Sequence, residues 1–169
     1  STSNRRGDFG NVELSYFNGL RREIGDQPAL AYRLDVGLPT GTGSKGVEVR
    51  ARGILTKTVG QYDKIHLNLD VMTSTARIID ERQTTAGITV GYTKPLGYPT
   101  QFDRTLVAQF SMEQSRDRSR DWVGSVGLGI RQQVGVRSVL DFGIESDVFE
   151  TKGRAKSSVR FAIGYSVGF

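Results

Sequence analysis

Apolar and polar residues alternate along almost the whole of this 169-residue chain. A strand turns successive side chains to opposite faces, so a period of two reads as β structure. Nine segments carry that period: Asn11–Arg21, Ala29–Leu38, Gly46–Lys57, Gln61–Met72, Gln83–Lys94, Arg104–Gln114, Asp121–Gln132, Arg137–Val148 and Ser158–Phe169. No stretch has a convincing helical period. Most segments are ten to twelve residues long. Strands of soluble sheets average about 5–6 residues, whereas a tilted strand crossing a bilayer needs about 9–11.

The two faces differ in chemistry. One carries Val12, Leu14, Tyr16, then Leu30, Tyr32, Leu34, Val36, and continues through Ile65, Leu67, Leu69, Val71, Ile88, Val90, Leu106, Phe110, Leu128, Ile130, Phe142 and Ile144. No charge interrupts it. The other face mixes Gly, Ser and Thr with Arg33, Asp35, Glu48, Arg50, Arg52, Lys64, His66, Asp70, Gln109, Glu113, Arg131, Asp141, Glu145 and Arg160. These charged positions are expected to face the lumen of an all-β, antiparallel, up-and-down transmembrane barrel. Tyr16, Tyr92, Trp122, Tyr165 and Phe169 sit near strand ends on the apolar face. Aromatic residues of an interfacial girdle sit there. A soluble barrel would have the same alternation turned inside out. The many small residues on the polar face suit a crowded lumen better than a solvated exterior.

Connection lengths orient such a barrel, since periplasmic turns are short and external loops longer. Thr58–Gly60 and Gln133–Val136 are expected to be tight periplasmic turns, with Arg22–Pro28 and Pro95–Asp103 on the same side. Thr40–Lys45, Thr73–Arg82, Ser115–Arg120 and Phe149–Ser157 are expected to be external. Nine is an odd count, whereas bacterial barrels of this kind have even numbers. Either an N-terminal part is missing, or one strand is not real, Asn11–Arg21 being the weakest. Residues 1–10 read as loop within a single domain covering 1–169.

The closing nine residues, Phe161-Ala162-Ile163-Gly164-Tyr165-Ser166-Val167-Gly168-Phe169, put large apolar side chains at every odd position and end on an aromatic. This resembles the last strand of bacterial outer-membrane barrels, whose C-terminal Phe is read by the barrel assembly machinery. A second resemblance lies in Leu34-Asp35-Val36-Gly37-Leu38-Pro39-Thr40-Gly41-Thr42-Gly43-Ser44-Lys45-Gly46, followed by His66-Leu67-Asn68-Leu69-Asp70. The pair is similar to the family of outer-membrane transporters associated with the MetA pathway of phenol degradation. The resemblance covers most of the chain from about Ala29. It implies about twelve strands, a place in the outer membrane of a Gram-negative bacterium, and no catalytic residues.

Composition narrows the chemistry. No run of 18 apolar residues occurs, so no helix is expected to span a membrane; barrel strands are not excluded by that. The chain has 21 Gly against 4 Pro, as tight β turns require, and no Cys, which excludes disulfides and thiolate chemistry. The net charge of +5 is spread through alternating positions and loops, so nucleic acid is not expected as a partner. His66 is the sole histidine, and no metal site or cofactor is expected from it. His66 and Asp70 on one strand lie about 13 Å apart by strand rise, too far to act as a pair. Arg6-Gly7-Asp8 is a chance tripeptide, and Gly41-x-Gly43-x-x-Gly46 leads into a strand rather than the helix a dinucleotide site needs.

Three functions fit this pattern. The first is a non-enzymatic channel or transporter-like barrel for small solutes. The second is a structural barrel whose lumen is closed by paired charges. Its loops Arg116–Asp121 and Lys152–Lys156 would then contact a partner in an envelope complex. The third is a soluble ligand-binding barrel. Membrane lipid and the assembly machinery are the expected partners of the first two.

Overall fold

The computed structural model describes residues 12–41, 46–76, 79–97, 103–119, 121–151 and 158–167. They form nine strands: β1 (Val12–Arg21), β2 (Ala29–Leu38), β3 (Glu48–Val59), β4 (Asp63–Ser74), β5 (Thr84–Leu96), β6 (Arg104–Gln114), β7 (Trp122–Gly135), β8 (Ser138–Glu150) and β9 (Val159–Val167). Each pairs antiparallel with the next in chain order, so the chain runs up and down through one curled half-barrel sheet. Val12–Arg21 is a strand, paired with β2 from Val12↔Leu38 to Arg21↔Leu30. The odd count therefore stands. β1 and β9 are the two edges and do not touch one another. With nine alternating strands they run in the same direction.

Register keeps the two chemistries apart. Leu69 stands between Gly53 and Ile88, and Leu128 between Ala108 and Ile144. On the other face Arg52 stands beside Asp70, and Arg131 beside Asp141. A slip of one residue in any pair would put charges among the leucines, which pins the register.

The polar face is the concave one. Among the described residues no hydrophobic side chain is buried, while Asp35, Asp70, Thr85, Ser111 and Ser125 are. A half-barrel shelters what it curls around, and here it shelters polar groups. The convex face is left open: Leu69 is 56% exposed, Leu128 60%, Phe161 80% and Ile163 76%.

Glycines make the concave face work. Gly87, Gly91, Gly127 and Gly164 each lie under a long side chain from a neighbouring strand. A Cβ at these positions would stand 3.2 Å from Glu113 Cγ, 3.6 Å from His66 Cβ, 2.9 Å from Gln109 Cγ and 3.6 Å from Asp141 Cβ respectively. Small residues thus let polar stems lie flat along the wall. Gly127→Ala collides with the middle of the Gln109 chain rather than its tip. The substitution is expected to cost about 1–3 kcal/mol, as overpacking does, read from the urea midpoint of folded protein in vesicles.

The ends differ from expectation at several strands: β3 begins at Glu48 and runs on to Val59, β4 runs to Ser74 and β7 to Gly135, so the expected turns Thr58–Gly60 and Gln133–Val136 are largely strand. Pro95 and Leu96 extend β5 instead of beginning a loop. They pair only with β6, because β4 stops pairing at Lys64↔Thr93, so the missing proline N–H costs no ladder bond. β8 continues past Val148, where a register shift between Gly124 and Ser125 turns Phe149 to the convex face. Its ring lies over Gly124 and 6.3 Å from the Phe110 ring. The hairpin between β3 and β4 turns through Gly60 at φ 68°, and β4 starts at Asp63 rather than Gln61.

At the short-turn end, the β1–β2 connection is tied to β3. The Glu23 carboxylate accepts hydrogen bonds from Thr58 N and Oγ1 at 2.9 and 2.7 Å and lies 3.1 Å from Lys57 Nζ. The Thr58 side chain foremost, then its backbone N–H and Lys57, hold the carboxyl down at about 2 from 4.5. A lowered folded value means the tie stabilises above about pH 4.5 and fades as pH falls toward 2. Glu23→Gln is accordingly expected to lower the denaturant midpoint at pH 7 and to match the parent near pH 2.

Candidate functional site on the concave face

Alternation alone places every charged strand position expected to face a lumen on one surface. Arg33 and Asp35 of β2, Glu48, Arg50 and Arg52 of β3, Lys64, His66 and Asp70 of β4, Glu113 of β6, Arg131 of β7, Asp141 and Glu145 of β8, and Arg160 of β9 all share the concave face by register. Tyr16, Tyr92, Trp122 and Tyr165 share the convex face. Phe169, Arg6–Asp8 and Lys152–Lys156 lie outside the described residues.

The concave charges form three tied groups. Across β1 and β2, Arg33 reaches Asp35 at 2.6 Å and Glu13 at 3.3 Å, and Ser15 Oγ donates to Asp35 at 2.6 Å. Across β3 and β4, Arg52 Nε donates to Asp70 at 2.7 Å. Across β6 to β9, Ser111 and Ser125 hydroxyls meet at 2.8 Å and Ser125 donates to Glu145 at 2.7 Å. Arg160 closes that third chain on Glu145 and Asp147 at 2.9 and 2.8 Å. Arg131 and Asp141 make a more open pair at 2.8 Å, with side chains 58% and 36% exposed. Buried carboxylates are stable only when paired or hydrogen-bonded, and Asp35 and Asp70 are.

His66 is held by two threonines, Thr56 Oγ1 at Nδ1 (2.9 Å) and Thr93 Oγ1 at Nε2 (3.2 Å). Asp70 is engaged by Arg52 instead. Among the described residues no group of three His, Cys, Asp or Glu side chains could hold a metal ion.

The loops at the end opposite the short turns contribute residues that alternation does not flag. Arg116 was expected among external contacts. It folds over the concave face, placing Nη1 2.6 Å from Glu48 and Nη2 3.4 Å from the Met72 sulfur. The Glu48 contact, with a hydrogen bond foremost, raises its guanidinium further above the usual range. Arg82 explains why the loop turns in. It donates to the carbonyls of Ser115 and Asp117 at 3.0 and 2.9 Å and to the Asp121 carboxylate at 2.8 Å. Backbone bonds from Arg82 N to Arg116 O and from Arg118 N to Asp80 O complete the joint. A run of arginine and aspartate reads as a solvated loop; only its pairing with a distant strand shows otherwise. Glu13 and Asp147 were also missed, though both share parity with the polar face.

Below this inward loop the concave face encloses a hollow of about 320 Å³, reached by Arg50, Met72, Glu113, Arg116, Glu145 and Arg160. No protein-family model matches the chain, and neither curated proteins nor solved structures provide a match.

Proposed function

We propose that this chain forms the wall of an outer-membrane β-barrel of a Gram-negative bacterium, with its convex face in lipid and its concave face lining a path for small solutes. One observation carries the reading: a continuous apolar surface on the convex side, free of charge away from the short-turn rim, with no hydrophobic side chain buried elsewhere among the described residues. Covering each large side chain is worth about 1.5–3 kcal/mol, and large exposed apolar patches mark membrane or protein contacts. The charged groups on that face, Arg21, Lys57, Asp63, Lys94 and Arg104, all sit at the short-turn rim, where headgroups would meet them. The resemblance of Leu34–Gly46 and His66–Asp70 to the MetA-pathway transporters points the same way. The barrel does no chemistry in this proposal. Closing the ring antiparallel takes an odd number of further strands, because β1 and β9 run the same way.

Single-channel conductance in planar bilayers tests the path. Full-length protein is expected to conduct, and absence of both conductance and solute uptake would refute a channel.

A structural barrel is the second reading. The observation in its favour is the pairing of the concave charges: Arg33, Arg52, Arg131 and Arg160 all have carboxylate partners. A lumen filled by such pairs would be closed and would leave the loops to bind an envelope partner.

A further inference from the structure

The chain has two methionines, one on each face of the sheet. Met112 stands between Ile88 and Gly124 on the convex face. Met72 stands between Arg50 and Thr85 on the concave face, half-buried, and lines the hollow. Arg50 Nη2 lies 3.6 Å from its sulfur and Arg116 Nη2 lies 3.4 Å away. A thioether is a weak acceptor, so the two guanidiniums gain little from it as it stands. Their charges are answered elsewhere. Asp35 stands opposite Arg50 in the β2–β3 register, Glu48 also attracts Arg50, and Arg116 meets Glu48 through Nη1 at 2.6 Å. What converges on the sulfur is a pair of N–H donors that lack a good acceptor, not a pair of unanswered charges.

We propose that Met72 is an oxidation site whose sulfoxide is received by Arg50 and Arg116, and that this ties the inward loop more tightly over the hollow. The oxidant is a peroxide dissolved in the water of the concave face. The thioether sulfur gives an electron pair to one peroxide oxygen and the O–O bond breaks. The departing hydroxide takes the proton from the oxygen left on sulfur, so that thioether and hydrogen peroxide become sulfoxide and water. Sulfur is oxidised and the peroxide reduced, and a sulfoxide reductase with a thiol restores the methionine. The sulfoxide oxygen is polar and a far better acceptor than the thioether. The guanidiniums draw back to admit it. Arg116 keeps Glu48 on Nη1 and offers Nη2 to the new oxygen, so the bond adds to the ion pair instead of replacing it. Arg82, bonded to Ser115, Asp117 and Asp121, carries the restraint into the loop.

The test is tryptic cleavage after Arg118, an exposed residue of that loop, in full-length protein in detergent micelles before and after hydrogen peroxide. Mass spectrometry reads the added oxygen on the Met72 peptide and follows the Arg118 fragment. Oxidation is expected to slow that cleavage about tenfold, the worth of one hydrogen bond to a charged group. Met72→Leu nearly conserves volume and retains Met112, so it is expected to lose the slowing. Methionine sulfoxide reductase with dithiothreitol is expected to restore the original rate in the parent protein. A Met72 that stays unoxidised in folded protein, while urea-unfolded protein takes up the oxygen, would overturn the site. Unchanged or faster cleavage after oxidation, or equal slowing in Met72→Leu, would overturn the tie. These readouts are independent of conductance, so a protein that passes no current loses the channel reading and keeps the oxidation site.

Discussion

Leu128→Arg is expected to destabilise the vesicle-bound protein by about 2–4 kcal/mol, the cost of arginine on the lipid face near the bilayer midplane. Leu128 lies at the middle of β7 on the convex face, between Ala108 and Ile144, and is 60% exposed. For a protein in water, an exposed leucine replaced by arginine changes stability by only about 0.5 kcal/mol or less. The two environments thus predict different magnitudes for the same substitution. Gln132→Arg supplies the internal control. Gln132 shares the convex face but sits at the short-turn rim beside Arg104, which donates to it at 2.8 Å. Arginine there is expected to cost about 0–1 kcal/mol. Urea unfolding in vesicles reads both, and equal small costs would contradict lipid on this face.

The second large effect belongs to the concave side. Arg52→Leu strips the partner from Asp70, which is 9% exposed. Breaking a fully buried pair costs about 3–5 kcal/mol because an unanswered charge remains. The Arg52 side chain is 25% exposed, so water screens part of that, and we expect about 2 kcal/mol. Arg52→Leu with Asp70→Asn is expected to recover much of the loss, since no orphan charge is left. Arg131→Leu is expected to cost only about 0.2–1 kcal/mol, because the Arg131–Asp141 pair is open to water. Equal costs at the two pairs would mean that both are equally wet and that the half-barrel shelters neither.

Alternation made the fold legible because every strand obeys one rule on both faces. From Val36 beside Val49 to Phe142 beside Ile163, apolar residues meet apolar residues across the ladder. What alternation could not reveal are the places where period two breaks. Val148 adds one residue to β8, and a bulge leaves no mark in composition. Pro95 reads as a breaker, yet it lies beyond the reach of β4, where no hydrogen bond is asked of it. The concave charges were assigned to a face, but their pairing depends on register between strands, which hydrophobic pattern alone leaves open. Arg116 was the larger miss. Its contacts to Glu48 and Met72 join residues 68 and 44 positions apart, and the joint that turns the loop inward is built on Arg82, in another loop. The roof of the hollow exists only once that loop is folded in.

The orientation of the sheet toward lipid is the claim on which the rest stands, and the absence of cysteine lets it be tested cleanly. Single cysteines placed at Arg52, Asn68, Leu67, Leu106, Glu113, Leu128, Arg131 and Ile163 can each carry a nitroxide in vesicle-reconstituted protein. Accessibility to oxygen, which concentrates in lipid, is then compared with accessibility to a water-soluble nickel chelate. The account predicts oxygen-dominated relaxation at Leu67, Leu106, Leu128 and Ile163, nickel-dominated relaxation at the other four, and an alternation between Leu67 and Asn68 in a single step along β4. Nickel-dominated relaxation at the leucines, or the reverse pattern with the charged positions shielded from water, would contradict it.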